Sequence, residues 1–179
     1  MKKALFAAAF VFASSCALAE SVKVTVGHMC CGGCKAAATA GLKSVAWSDN
    51  VTIEDKVITV NAKAGMKTDV ISLMDALNRA GFPASEINTT APVTLTVAHL
   101  CCGACVGDLK TKIAALRGNT LDKDNVKIDQ AAKTLTIQPA AGMTLNVVPI
   151  ISQLNRQGFS FTSATVVTAS NPTRKVAKK

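Results

Sequence analysis

His28-Met29-Cys30-Cys31-Gly32-Gly33-Cys34 returns 71 positions later as His99-Leu100-Cys101-Cys102-Gly103-Ala104-Cys105. The two stretches hold both histidines of the 179-residue chain and six of its seven cysteines. Thiols this close together point to a soft metal ion, to a disulfide, or to both. Frameworks that staple small exported domains spread their cysteines along the chain, and a bridge inside so tight a loop removes little chain entropy. Structural stapling is therefore the weaker explanation. Aspartates and glutamates are scattered over turns and helix surfaces, with no paired carboxylates and no nucleophile–base set, so nothing here reads as an enzyme.

The elements that must carry these residues are also repeated. Val22-Lys23-Val24-Thr25-Val26 and Val93-Thr94-Leu95-Thr96-Val97 lead into the cysteines, alternating apolar and polar as half-buried strands do. Beyond the cysteines, Ala38, Leu42 and Val45 match Leu109, Ile113 and Leu116, whose spacing predicts one apolar helical face. A hairpin follows, Val51–Ile53 and Val57–Val60 about Glu54-Asp55-Lys56, with Val126–Ile128 and Leu135–Ile137 as its counterpart around a longer turn. The offset grows to 77 by the next helix, so the insertions fall in connections, which tolerate them. That helix shows Val70, Leu73, Met74 and Leu77 in one copy and Val147, Ile150, Ile151 and Leu154 in the other. It stops at Gly81-Phe82 and Gly158-Phe159. Pro149 fits if Asn146 caps the second of these helices, because the first turn needs no amide donor there. A last strand closes each copy, around 85–88 and 161–167. Each copy reads βαββαβ, so the expected fold is α+β, two tandem ferredoxin-like domains at 20–89 and 93–168.

The ends read differently. Lys2 and Lys3, the apolar run Ala4–Ala13 and the small residues of Ala17-Leu18-Ala19 read as an export signal over 1–19, cleaved before Glu20. The expected location is periplasmic or secreted. A competing reading makes Cys16 the lipid-bearing residue of a lipoprotein, although Ala13 stands where an aliphatic residue is usual. The run is shorter than the ~20 residues of a membrane-crossing helix, and no other segment is long and apolar enough. Residues 169–179 read as a basic disordered tail. Four of its basic residues, Arg174, Lys175, Lys178 and Lys179, account for much of the formal charge of +9, and the folded part is only weakly basic. With no tyrosine and Trp47 as the only tryptophan, there is no aromatic stacking surface for nucleic acid.

Strand, Met/Leu-Cys-Cys-x-x-Cys and helix within a βαββαβ unit resemble the heavy-metal-associated domain. Copper chaperones, the N-terminal domains of metal-pumping ATPases and the periplasmic mercuric-ion binding protein belong to that family. Its usual signature is Gly-Met-Thr-Cys-x-x-Cys. The resemblance covers both repeats and places the metal-binding pairs on Cys31 and Cys34 and on Cys102 and Cys105. It places the motif methionine on Met29 and Leu100, and a site-flanking aromatic on Phe82 and Phe159. Leu100 cannot bind metal, so Met29 is expected in the core. Two departures stand out. Cys30 and Cys101 replace the family's threonine, as third ligands or as bystander thiols. His28 and His99 replace its glycine, as ligands or as residues simply exposed at the strand end.

The chemistry of the loop agrees with what the resemblance implies. A helix N-terminus stabilises thiolate charge, and two thiolates suit Cu(I), or Hg(II) by the same softness. With a third sulfur a trigonal site becomes available, and with a histidine added a four-ligand Zn(II) site. The expected function is an exported protein that carries, buffers or sequesters Cu(I), one ion per domain, with Hg(II) or Zn(II) as alternatives. A metal-transporting membrane protein or another metal-binding domain is the partner that the resemblance suggests. Two rival readings are a thiol–disulfide redox protein, which Cys-x-x-Cys at a helix start also suits, and an interaction module that docks without using its cysteines.

Overall fold

A computed structural model describes residues 20–116 and 125–167. The expected export signal at 1–19, with Cys16, and the expected tail at 169–179 lie outside the described residues. β1 (Ser21–Val26) buries Val22, Val24 and Val26 and turns Ser21, Lys23 and Thr25 the other way, which is the alternation its sequence carries. It pairs antiparallel with β3 (Val57–Ala62) on one side and β4 (Ala84–Thr89) on the other, and β2 (Ser48–Glu54) closes the outer edge against β3. α1 (Gly32–Lys43) joins β1 to β2, and α2 (Val70–Arg79) joins β3 to β4. Strand order β2-β3-β1-β4 with two such crossovers is the ferredoxin-like arrangement.

The second repeat repeats it. β5 (Val93–Val97), α3 (Gly103–Ala115), β6 (Val126–Asp129), β7 (Thr134–Ile137), α4 (Val147–Arg156) and β9 (Phe161–Val166) follow one another, with sheet order β6-β7-β5-β9. Both α1 and α3 are shorter than the apolar spacing predicts. α1 ends at Lys43, and the Val45 amide reaches back to the Leu42 carbonyl at 3.1 Å, so Val45 is buried just past the helix and not on it. Leu116, its counterpart, is the half-buried C-cap immediately after α3.

The Gly-Phe pairs are helix stops of one kind. Gly81 takes φ +86° and Gly158 φ +94°, where a side chain is strained. Gly81 donates to Asn78 and Phe82 to Leu77; Gly158 donates to Asn155 and Phe159 to Leu154. Each is a Schellman closure, and it brings a buried phenylalanine to the start of the closing strand.

One strand was not foreseen. β8 (Leu145–Asn146), just before α4, pairs antiparallel with the end of β4 and adds a fifth strand to the first repeat's sheet. The two repeats are stitched by equivalent residues. The Asn146 side-chain oxygen accepts from Val148 N–H, capping α4, and also from Ile87 N–H on β4, both at 3.2 Å. Asp69 caps α2 through Ile71 and Ser72, and its Oδ1 also accepts from Ala164 N–H on β9 at 2.8 Å. Asp69 and Ala164 stand 77 positions from Asn146 and Ile87, so the joint has approximate two-fold symmetry. The β4 and β9 edges, whose free amides would otherwise be open to pairing, are each met by the other repeat's helix cap. The buried apolar residues of both repeats form one continuous cluster.

Candidate functional site

Both cysteine loops leave their sheets at the end away from the β4–β8 pairing. Val26, one residue before the first loop, pairs with Ala84 at the start of β4, whereas β8 meets Asn88 and Thr89 at its far end. Val97 likewise pairs with Phe161 at the start of β9, and the stitched Ala164 sits further along, opposite Leu95. Met29 and Leu100 are buried and pin the middle of each loop to the core. The cysteines on their C-terminal side are thereby held at the surface.

In the first loop Cys31 is the N-cap of α1, with extended backbone, and its Sγ accepts from the Cys34 N–H at 3.4 Å. Cys34 lies one turn into the helix, so the two sulfurs fall on one face, 3.3 Å apart. Cys30 adds a third sulfur 3.5 Å from Cys34. All three lie within 4.8 Å of one another; Cys30 and Cys31 are exposed and Cys34 is half-buried. Cys34 touches both of the others and is the hub of the cluster.

The electrostatics grade the thiols. The Cys34 backbone N–H, then the Cys34 thiol, lower the Cys31 thiol below its ordinary value. Cys30 goes the other way: hydrogen bonds with the Cys34 and Cys31 sulfurs, and their charge, hold its proton on. Cys31 thus ionises before Cys30. The second loop follows suit, with Cys102 lowered by the Cys105 backbone N–H and Cys101 raised by hydrogen bonds with Cys102 and Cys105. Cys102 occupies the N-cap position of α3, where the Cys105 N–H is near enough to favour its thiolate but does not close the cap bond that Cys31 makes.

The second loop has a different donor set. Cys105 Sγ is 3.4 Å from Cys102 Sγ and 3.8 Å from Cys101 Sγ. His99 joins Cys101 and Cys105, the three donor atoms lying within 4.8 Å of one another. His28 instead lies against the Phe82 ring, centroids 5.4 Å apart and planes tilted by 38°. The structure therefore brings Cys30, Cys31 and Cys34 together in one loop and His99, Cys101 and Cys105 in the other, where Cys102 stands outside that trio and touches it through Cys105; it leaves His28 on an aromatic face. Phe82 and Phe159 are buried and offer no donor.

Sequence reasoning missed Gln130. Its side-chain amide donates to the Cys101 carbonyl at 3.2 Å and braces the second loop. It sits in the β6–β7 turn, and the extra length of that turn was the signal available. Each loop presents several sulfurs around one point, a cluster chemically suited to holding one soft ion. Among the described residues no helix is long and apolar enough to cross a membrane.

No protein-family model matches the sequence, and no curated protein sequence matches it. Among solved structures the chain is similar to the N-terminal soluble domains of Bacillus subtilis CopA, at 14% identity and a TM-score of 0.36, over 81% of this chain and 93% of that one. It is similar also to the water-soluble region of the P-type ATPase CopA from Bacillus subtilis, at 14% identity and a TM-score of 0.36, over 83% and 91%.

Proposed function

We propose that this protein is an exported member of the heavy-metal-associated domain family that binds soft metal ions, Cu(I) foremost, one per repeat, and carries, buffers or sequesters them. One observation carries the reading: three sulfurs gathered around Cys34 at 3.3 and 3.5 Å, on an exposed loop that opens a helix. Thiolates in that arrangement select soft ions, and an exposed site lets an incoming thiol add and remove the ion by ligand exchange. The role is binding and delivery, not catalysis. Lys2, Lys3, the following apolar run and Ala17-Leu18-Ala19 support export. Native mass spectrometry of the reduced chain with Cu(I), Hg(II) and Zn(II) in competition tests the proposal. Two ions on the parent chain and one on the Cys31→Ser/Cys34→Ser variant are expected; no ion at either loop refutes it.

A second reading is favoured by the same contacts. Sulfurs 3.3 and 3.4 Å apart, one of each pair with a lowered thiol, are poised for thiol–disulfide exchange. Insulin reduction together with the reduction potential of each pair separates the two functions. An active reductase that keeps no ion favours the redox reading.

A further inference from the structure

The loops are copies in sequence and differ in the donors they assemble. In the first, three sulfurs converge and the histidine ring lies against Phe82. In the second, the histidine sits with Cys101 and Cys105, and Cys102 contacts Cys105. Resting on the metal-binding reading above, we propose that the second loop is a Cys3His site for a four-coordinate ion, Zn(II), while the first is a three-sulfur site for Cu(I).

Coordination chemistry supports the division. Zinc favours a closed tetrahedral set of cysteine and histidine donors, and three cysteines with one histidine is one of its established combinations. A tetrahedral ion about 2.3 Å from each sulfur holds its sulfurs about 3.8 Å apart. Cys101 and Cys105 stand at 3.8 Å with His99 beside them, and Cys102, 3.4 Å from Cys105 but outside that trio, must turn toward it to complete the set. The histidine nitrogen is a donor better matched to Zn(II) than to a softer ion, and it fills the position that the first loop leaves open. Gln130 holds the Cys101 carbonyl and so fixes the backbone from which that sulfur projects, a support of the kind that orients metal ligands. A filled coordination sphere also slows ligand exchange, so the second loop retains its ion while the first trades.

The test uses the reduced full-length chain, with Zn(II) and Cu(I) added singly and together, and Co(II) as a spectroscopic stand-in for zinc. The expected result is one tightly held Zn(II), sulfur-to-cobalt charge-transfer bands that change in His99→Ala, and imidazole NMR signals that move with zinc for His99 and stay for His28. His99→Ala should weaken zinc binding on the order of 10- to 100-fold or more, since even outer-shell partners reach that range, and leave Cu(I) uptake at the first loop intact. His28→Ala should change neither. Equal zinc affinity in His99→Ala and the parent, with both loops still binding ions, overturns this division and leaves the proposed function standing. Absence of any ion at either loop overturns both. The Cys31→Ser/Cys34→Ser variant, with circular dichroism as the folding control, isolates the second loop for each measurement.

Discussion

Asn146→Ala tests whether the two repeats fold as one unit. The substitution removes an acceptor with two clients: Val148 N–H at the start of α4 and Ile87 N–H on β4 of the other repeat. Loss of the helix cap costs about 1 kcal/mol. Ile87 is 1% exposed, so water does not readily replace the lost partner, and an unpaired buried amide adds about 1–3 kcal/mol. The expected destabilisation is therefore about 2–4 kcal/mol, which lowers Tm by about 5–15 °C in a chain of this size. Urea unfolding of the reduced chain provides the assay, followed by far-ultraviolet circular dichroism for both repeats and by Trp47 fluorescence for the first. Trp47 is the only tryptophan, is buried, and donates to the Ser72 hydroxyl on α2. The altered residue lies in the second repeat, yet a shared joint and a continuous core require the Trp47 transition to move as far as the circular dichroism. Asn146→Asp, which keeps the acceptor, should stay close to the parent. A Trp47 transition that stays put while the circular dichroism splits into two steps would show that the stitches do not couple the repeats, and the reasoning would fail.

The remaining predictions concern the loops and the helix pair. Cys34→Ser should weaken Cu(I) binding at the first loop far more than Cys30→Ser, because Cys34 makes the two closest sulfur contacts of the loop, 3.3 and 3.5 Å; competition against a Cu(I) chelator checks it, and equal effects would count against the hub assignment. Ion uptake should release protons, and affinity should fall as pH falls, since Cys30 holds its proton above the ordinary thiol range and must lose it to become a ligand. Cys30→Ser should flatten that pH dependence, a change readable by calorimetry in buffers of different ionisation enthalpy; an unaltered slope would make Cys30 a bystander. Gly41→Ala should destabilise by about 1–3 kcal/mol through overpacking, less the helix-propensity gain of up to about 1 kcal/mol, because the added carbon would stand 2.9 Å from the Ala80 Cβ. Chemical denaturation measures it, and a stabilised variant would show that α1 and α2 can separate at no cost.

What the sequence discloses and what it withholds follow from the range of the forces involved. Alternation in Val22–Val26 and the i, i+3, i+4, i+7 set in α2 and α4 are local signals, strong enough to give the order of elements in both repeats. Asn146 as a helix cap is local too. Its second bond, to an amide 59 residues away, is a tertiary use of the same oxygen, and nothing in the neighbouring residues marks it. For the same reason β8 is invisible: two residues make a strand only because β4 presents an open edge to them. The histidines show the limit most plainly. His28 and His99 have the same spacing to their cysteines, yet one lies against the Phe82 ring and the other beside Cys101 and Cys105. Gly41 has Lys112 at its counterpart 71 positions on, so the close contact of α1 with α2 has no equivalent side-chain geometry in the second repeat.

The joint and the sulfurs occupy different ends of the same strands, and this separation bears on how the proposed function would operate. Residues 87–89 and Ala164 carry the stitches, while Val26 and Val97 lead into the cysteine loops. Stability can then reside in the shared core and its caps without covering the thiols. The loops themselves are held from inside by Met29 and Leu100, with Phe82 and Phe159 buried at the starts of the closing strands, so the sulfurs are exposed on anchored backbone. An incoming donor meets the exposed Cys30 and Cys31 first and the half-buried Cys34 last. Ligand exchange would therefore begin at the outer sulfurs while Cys34 keeps its hold on the ion. Under the proposed function that sequence would pass an ion between proteins without releasing it to solvent, and the doubled Cys-Cys-x-x-Cys loop would supply the outer thiol that a lone Cys-x-x-Cys pair lacks.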